Sequence, residues 1–110
     1  MAVLETLKVA RKRIAKEEHW TKGAFARNKE GSRVFPKSRS ACCWCILGAI
    51  RKEIKYNETE MPAIEVLQEH LPSPYLYVGI FHDHDKTTHK DIIDLLDRAI
   101  KAEEERNDST

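Results

Sequence analysis

Three cysteines and a tryptophan crowd one short stretch, Ser40-Ala41-Cys42-Cys43-Trp44-Cys45-Ile46-Leu47-Gly48-Ala49. Thiols serve as metal ligands or as nucleophiles, and histidine is their usual companion in both roles. Histidines stand downstream in His82-Asp83-His84, with His89 beyond. On a helix Cys42 and Cys45 share a face, and in an extended segment His82 and His84 point to one side, so a Cys2His2 zinc site can be drawn. The spacing nevertheless matches no common zinc module. For nucleophilic chemistry, Cys42 or Cys43 in a first helical turn would pair with His82 as base and Asp83 as orienter. No oxyanion-hole motif, phosphate-cradling glycine loop or isolated carboxylate pair accompanies them. No metal, no cofactor and no catalytic residue is therefore assigned, and a Cys–His enzyme or zinc-binding domain ranks third among the functional readings.

Those side chains must be positioned by a small number of elements. Residues 3–18 form an amphipathic pattern, with Val3, Leu7, Ala10 and Ile14 on one face. Residues 19–37 hold two glycines and a proline and read as a long loop with a small hairpin around Asn28-Lys29-Glu30-Gly31. A second helix is expected from Ser38 or Ser40 to about Lys55. At about 100° per residue it turns the three thiols toward an apolar sector and Trp44 outward, beside Gly48, Arg51 and Lys55. The outward indole is expected either to lie under the 19–37 loop, with Phe25, Val34 or Phe35 as neighbours, or to form a docking surface. A third helix is expected over residues 62–71, an extended segment over residues 75–81, and a fourth helix from Thr87 or Thr88 with Asp91 completing a capping box. The expected fold is mainly α: one compact domain of about four helices over residues 1–106, with residues 107–110 as a frayed tail.

The chain has 110 residues, 34% of them charged, and a net charge of +1. Its halves differ sharply. Residues 1–55 carry 14 Lys/Arg and 5 Asp/Glu, a net +9, whereas residues 56–110 carry 5 and 13, a net −8. Such a split fits a basic face for an anionic partner, two halves that neutralise each other on folding, or head-to-tail self-association. No run approaches the roughly 18 apolar residues of a membrane span. The N-terminus has no secretory pattern and the cysteine count is odd, so reduced thiols in the cytoplasm and no membrane partner are expected.

Trp20-Thr21-Lys22-Gly23-Ala24-Phe25-Ala26-Arg27, Gly31, Cys43-Trp44-Cys45-Ile46-Leu47-Gly48-Ala49 and Asp91-Ile92-Ile93-Asp94-Leu95-Leu96-Asp97-Arg98-Ala99-Ile100 together resemble a small bacterial and phage domain family of unassigned activity. The match runs nearly the whole length, through W-T-x-G-A-x-A-R, C-W-C-x-x-G-A and L-L-D-R-A-I patterns. Where that family's pattern has Asn-Asp, this chain has His82-Asp83. The resemblance implies one domain and no particular chemistry. A structural role is expected for the matched charges Arg27, Asp83, Asp97 and Arg98.

The leading functional expectation is a small non-enzymatic interaction or regulatory protein, phage-encoded, that binds a protein partner. Its expected partner-binding residues are Trp20, Arg27, Phe35, Trp44, Arg51 and Lys55. Nucleic-acid binding by the basic N-terminal half is the alternative, and homo-oligomerisation also stays open.

Overall fold

A computed structural model describes residues 2–55 and 58–108. Helix α1, Val3–Arg13, buries Leu7 and Ala10, and Ile14 closes it at the C-terminus. Its last carbonyls are tied down from a distance: the Ile14 carbonyl accepts a hydrogen bond from His89 Nε2 at 2.7 Å. This tertiary cap ends the helix before residue 18, and a 3₁₀ turn over Glu17–His19 redirects the chain.

The loop that follows folds back on itself. Asn28 N–H donates to the Ser32 carbonyl and Gly31 N–H to the Asn28 carbonyl, both at 2.9 Å. Gly31 has φ +84°, a left-handed conformation that glycine adopts without a side-chain clash. The hairpin expected here is present, and Arg27 and Arg33 face each other across it.

The segment carrying the cysteines departs from the single helix expected over residues 40–55. Strand β2, Cys43–Trp44, pairs antiparallel with strand β1, Ala26–Arg27. Helix α2 starts only afterwards, at Ile46–Glu53, with Cys45 as its N-cap. Ser38 and Ser40 do not cap it. Their hydroxyls bond each other at 2.9 Å within a turn. Strand pairing with the 26–27 backbone takes the place of a longer helix. Trp44 is buried and Cys42, just ahead of the strand, is exposed, the reverse of the helical expectation.

Helix α3, Met61–Glu69, carries Pro62 in its first turn, where the missing N–H costs nothing. Residues 78–83 correct a second expectation: they form helix α4, Val78–Asp83, not part of an extended segment. Its valine and aromatic content suggests a strand, but Val78, Phe81 and His82 are buried at helical spacing. Helix α5, His89–Asp108, opens on the expected capping box. Asp91 N–H donates to Thr88 Oγ1 at 3.2 Å and Thr88 N–H to Asp91 Oδ2 at 2.9 Å. The helix runs past the expected boundary at residue 106, and residues 109–110 lie outside the described residues.

Among the described residues this gives five helices and one two-stranded ribbon, a mainly α bundle. Ile46, Ala49 and Ile50 of α2, Ala63 and Leu67 of α3, and Ile92, Leu95, Leu96 and Ala99 of α5 pack with the α1 residues into one core.

Candidate functional site

His82, on α4, is 1% exposed. Its Nε2 accepts a hydrogen bond from Trp20 Nε1 at 2.7 Å, and its Nδ1 lies 2.9 Å from Asp83 Oδ1. An indole N–H only donates, so Nε2 holds the lone pair and Nδ1 carries the proton that goes to the carboxylate. This is a neutral imidazole with both nitrogens engaged. Burial pushes its pKa down and outweighs the raising effect of Asp83.

That arrangement decides how the thiols stand to it. Cys45 is buried, and its Sγ accepts from Gly48 N–H at 3.3 Å. It lines the same cleft as His82 and Asp83, so the thiol and the imidazole do share a wall. Yet His82 has no free lone pair with which to take a proton from sulfur, and burial raises the Cys45 pKa. The expected nucleophiles Cys42 and Cys43 sit elsewhere, exposed and half-buried respectively. Burial, then the neighbouring Cys42, raises the Cys43 pKa. His84 is exposed while His82 is buried, because helical geometry separates positions that an extended chain would align. Among the described residues no group of three or more His, Cys, Asp or Glu side chains is placed to hold a metal ion.

The three motifs act as framework. Arg27 donates from Nε to Thr21 Oγ1 at 3.1 Å, from Nη1 to the Gly31 carbonyl at 3.0 Å and from Nη2 to the Lys22 carbonyl at 3.2 Å. One guanidinium thereby ties both turns of the loop. Asp83 Oδ1 also accepts from Gly23 N–H at 3.3 Å, at a residue with φ +76°. Gly48 is required by contact. A Cβ there would stand 1.8 Å from the Phe25 carbonyl oxygen, which also accepts from Cys45 N–H at 3.2 Å. Farther along, Asp97 accepts from Arg11 Nε at 2.5 Å, and Arg98 Nη2 donates to the His70 carbonyl at 3.1 Å, closing the end of α3.

Locking the loop against α2 and α4 leaves an apolar cleft of about 680 Å³. Val34, Phe35 and Pro36 form one wall, Ile46 and Leu47 of α2 a second, and Gly79, His82 and Asp83 of α4 the third. Phe35 stands 84% exposed on the rim, and Phe25 is 43% exposed. Arg51 stacks over the Phe25 ring at 4.1 Å while bonding Glu60 at 3.0 Å. The size and the apolar lining with a few polar groups are those of a binding site.

The expected partner-binding residues do not form one surface. Trp44 is corrected outright: it is 7% exposed, donates to the Pro36 carbonyl at 3.0 Å and carries Arg13 over its ring at 5.1 Å. The 19–37 loop covers it, the first of the two outcomes expected for that indole. Trp20 is half-buried with its N–H on His82, and Arg27 is held by the loop carbonyls. Lys55 is exposed beyond the end of α2. Phe35 lines the cleft, and Arg51 joins it through Phe25. The sequence reading missed Arg33, Leu47 and Gly79 as lining residues. The signal available was Arg33-Val34-Phe35-Pro36-Lys37, an aromatic between cations next to a proline.

A family model described as a family of unknown function (DUF6197) matches residues 1–102. No curated protein and no solved structure matches the chain.

Proposed function

The chain belongs to this family of unknown function, and from the geometry above we propose that it is a small non-enzymatic interaction or regulatory protein. Its docking surface is the cleft walled by the 33–38 loop, α2 and α4. One observation carries the reading: Phe35 stands almost fully in solvent at the mouth of an apolar cleft of about 680 Å³. An exposed phenylalanine beside an apolar hollow leaves apolar surface in water, and covering it gives a partner binding energy at about 25 cal/mol per Å². The basic-aromatic character expected of the surface is retained by Phe25, Phe35, Arg33 and Arg51, and no longer involves Trp44.

The partner class proposed is a protein. Reduced thiols suit a cytoplasmic setting, and a phage origin is supported by the sequence resemblance alone. No helix among the described residues is long and apolar enough to cross a membrane.

The test is affinity capture from host-cell lysate with wild type and Phe35→Ser side by side, read by quantitative mass spectrometry. The expected result is a protein retained by wild type and lost by the variant, with the thermal midpoint unchanged because the ring contributes little to the core. Equal recovery by both proteins would place the interaction on another face.

A further inference from the structure

The lip of this cleft carries an uncompensated charge of one sign. Residues 32–40, Ser-Arg-Val-Phe-Pro-Lys-Ser-Arg-Ser, contain three cations and no carboxylate. Elsewhere the arginines have acceptors within the chain: Arg11 on Asp97, Arg13 on Glu53, Arg27 on three loop acceptors, Arg51 on Glu60, Arg98 on the His70 carbonyl and Arg106 on Glu103. Among the described residues, Arg33 and Arg39 are the arginines whose guanidinium meets no such acceptor, and both are exposed. They flank Phe35. Lys37 adds its charge between them, with Nζ anchored on the Lys52 and Ile54 carbonyls at 3.0 and 2.6 Å. The opposite wall holds a single carboxylate, Asp83, whose Oδ1 is already engaged by Gly23 N–H and His82.

We infer that the occupant of the cleft is an acidic, apolar peptide segment of a partner protein. A bulky apolar side chain enters between Phe35 and Leu47, and flanking Asp or Glu carboxylates lie along the Arg33–Arg39 lip. This deepens the docking reading and depends on it. Two features favour a peptide over a small molecule. Of the unpaired cations, Arg33 lines the hollow and Arg39 is outside its lining, so only a ligand that extends beyond the hollow reaches both. The guanidinium fork also matches a carboxylate with two parallel hydrogen bonds, the usual way in which arginine clusters read acidic motifs. Asp83 sets the direction, since acidic groups are repelled from the α4 wall and drawn to the loop wall.

The experiment is selection of a random dodecapeptide phage library on the folded protein. The most enriched peptide is then synthesised, together with a copy in which each Asp and Glu becomes Asn and Gln. Fluorescence polarisation measures both against wild type, Phe35→Ser and the double variant Arg33→Gln/Arg39→Gln. The expected consensus is an apolar anchor with Asp or Glu within a few positions. Affinity should fall about tenfold or more in Phe35→Ser and several-fold in the arginine variant, and the neutral copy should reproduce the latter loss. Enriched peptides that are neutral or basic, yet still lost in Phe35→Ser, would overturn the acidic assignment and leave the docking reading intact. If no enriched peptide depends on Phe35, both fall.

Discussion

His82 illustrates how a residue that looks catalytic on paper becomes a structural one. Its ring accepts from one neighbour and donates to another, and only the neutral form does both. Protonating Nε2 would set a second N–H against the indole N–H. Because the folded state depresses this pKa, the unfolded chain binds the proton first. The ordinary histidine value is about 6.5. Above it neither state is charged, and this residue gives no pH dependence. As pH falls below it, the unfolded state gains protons that the folded state refuses, and stability declines until the lower folded pKa is reached. The expected slope approaches about 1.4 kcal/mol per pH unit within that window. Urea midpoints from pH 7.5 to 4.5 should show this extra loss in wild type relative to His82→Gln, which cannot titrate. Parallel curves would refute the depressed imidazole. Thiol chemistry gives a second residue-scale prediction. Iodoacetamide at pH 7 should label Cys42 first and leave Cys45 slowest, because Cys45 is buried with a raised pKa. Rapid labelling of Cys45 in the native protein would contradict both its burial and its raised pKa.

Among the elements, the junction of loop and helix α2 is the least forgiving. The Phe25 carbonyl enters the space that any side chain at position 48 would occupy. Gly48→Ala should therefore cost about 3 kcal/mol, as overpacking against backbone that cannot rotate away. An unfolding free energy from chemical denaturation lowered by less than a third of that would mean that the loop simply lifts. The same junction explains what the sequence made legible and what it hid. Helices α1, α3 and α5 follow from apolar periodicity, Pro62 and the Thr88–Asp91 box, all of which are local signals. The hairpin follows from Asn28 and Gly31. The start of α2 does not, because Cys42, Cys43 and Cys45 fit a helical apolar sector and a two-residue strand equally well. Only the pairing with Ala26–Arg27, distant in sequence, decides between them. Placing Trp44 in a helix put its ring on the wrong side, and the docking surface inferred from it moved accordingly. Phe35 lies outside the misassigned stretch, and Arg51, expected beside the indole, instead lies over the Phe25 ring. Helix α4, of six residues, is too short to display a period at all.

At the level of the whole molecule, three ion pairs join the basic half to the acidic half: Lys8 lies 3.5 Å from Glu104, Arg11 bonds Asp97, and Arg51 meets Glu60 at 3.0 Å. A fourth, Arg13 with Glu53, forms within the basic half. The basic first helix is thereby screened by acidic groups, chiefly of the last. Exposed pairs like these add little stability, on the order of 0–1 kcal/mol each, but they lower the positive potential that a phosphate backbone needs. Binding to random duplex DNA is accordingly expected to be weak and not to exceed the usual non-specific range of about 10⁻⁴–10⁻⁶ M at physiological salt. A tighter complex with a steep salt dependence would revive the nucleic-acid alternative.

The packing of α1 against α5 also carries a consequence for biogenesis. Arg11 and Asp97 stand 86 residues apart, so α1 leaves the ribosome well before the helix that it packs against has been translated. At roughly 5–20 residues per second that is a delay of several seconds. Throughout it the stripe of Leu7, Ala10 and Ile14 lacks the helix that completes its cover, which makes the nascent chain a natural client for holding chaperones.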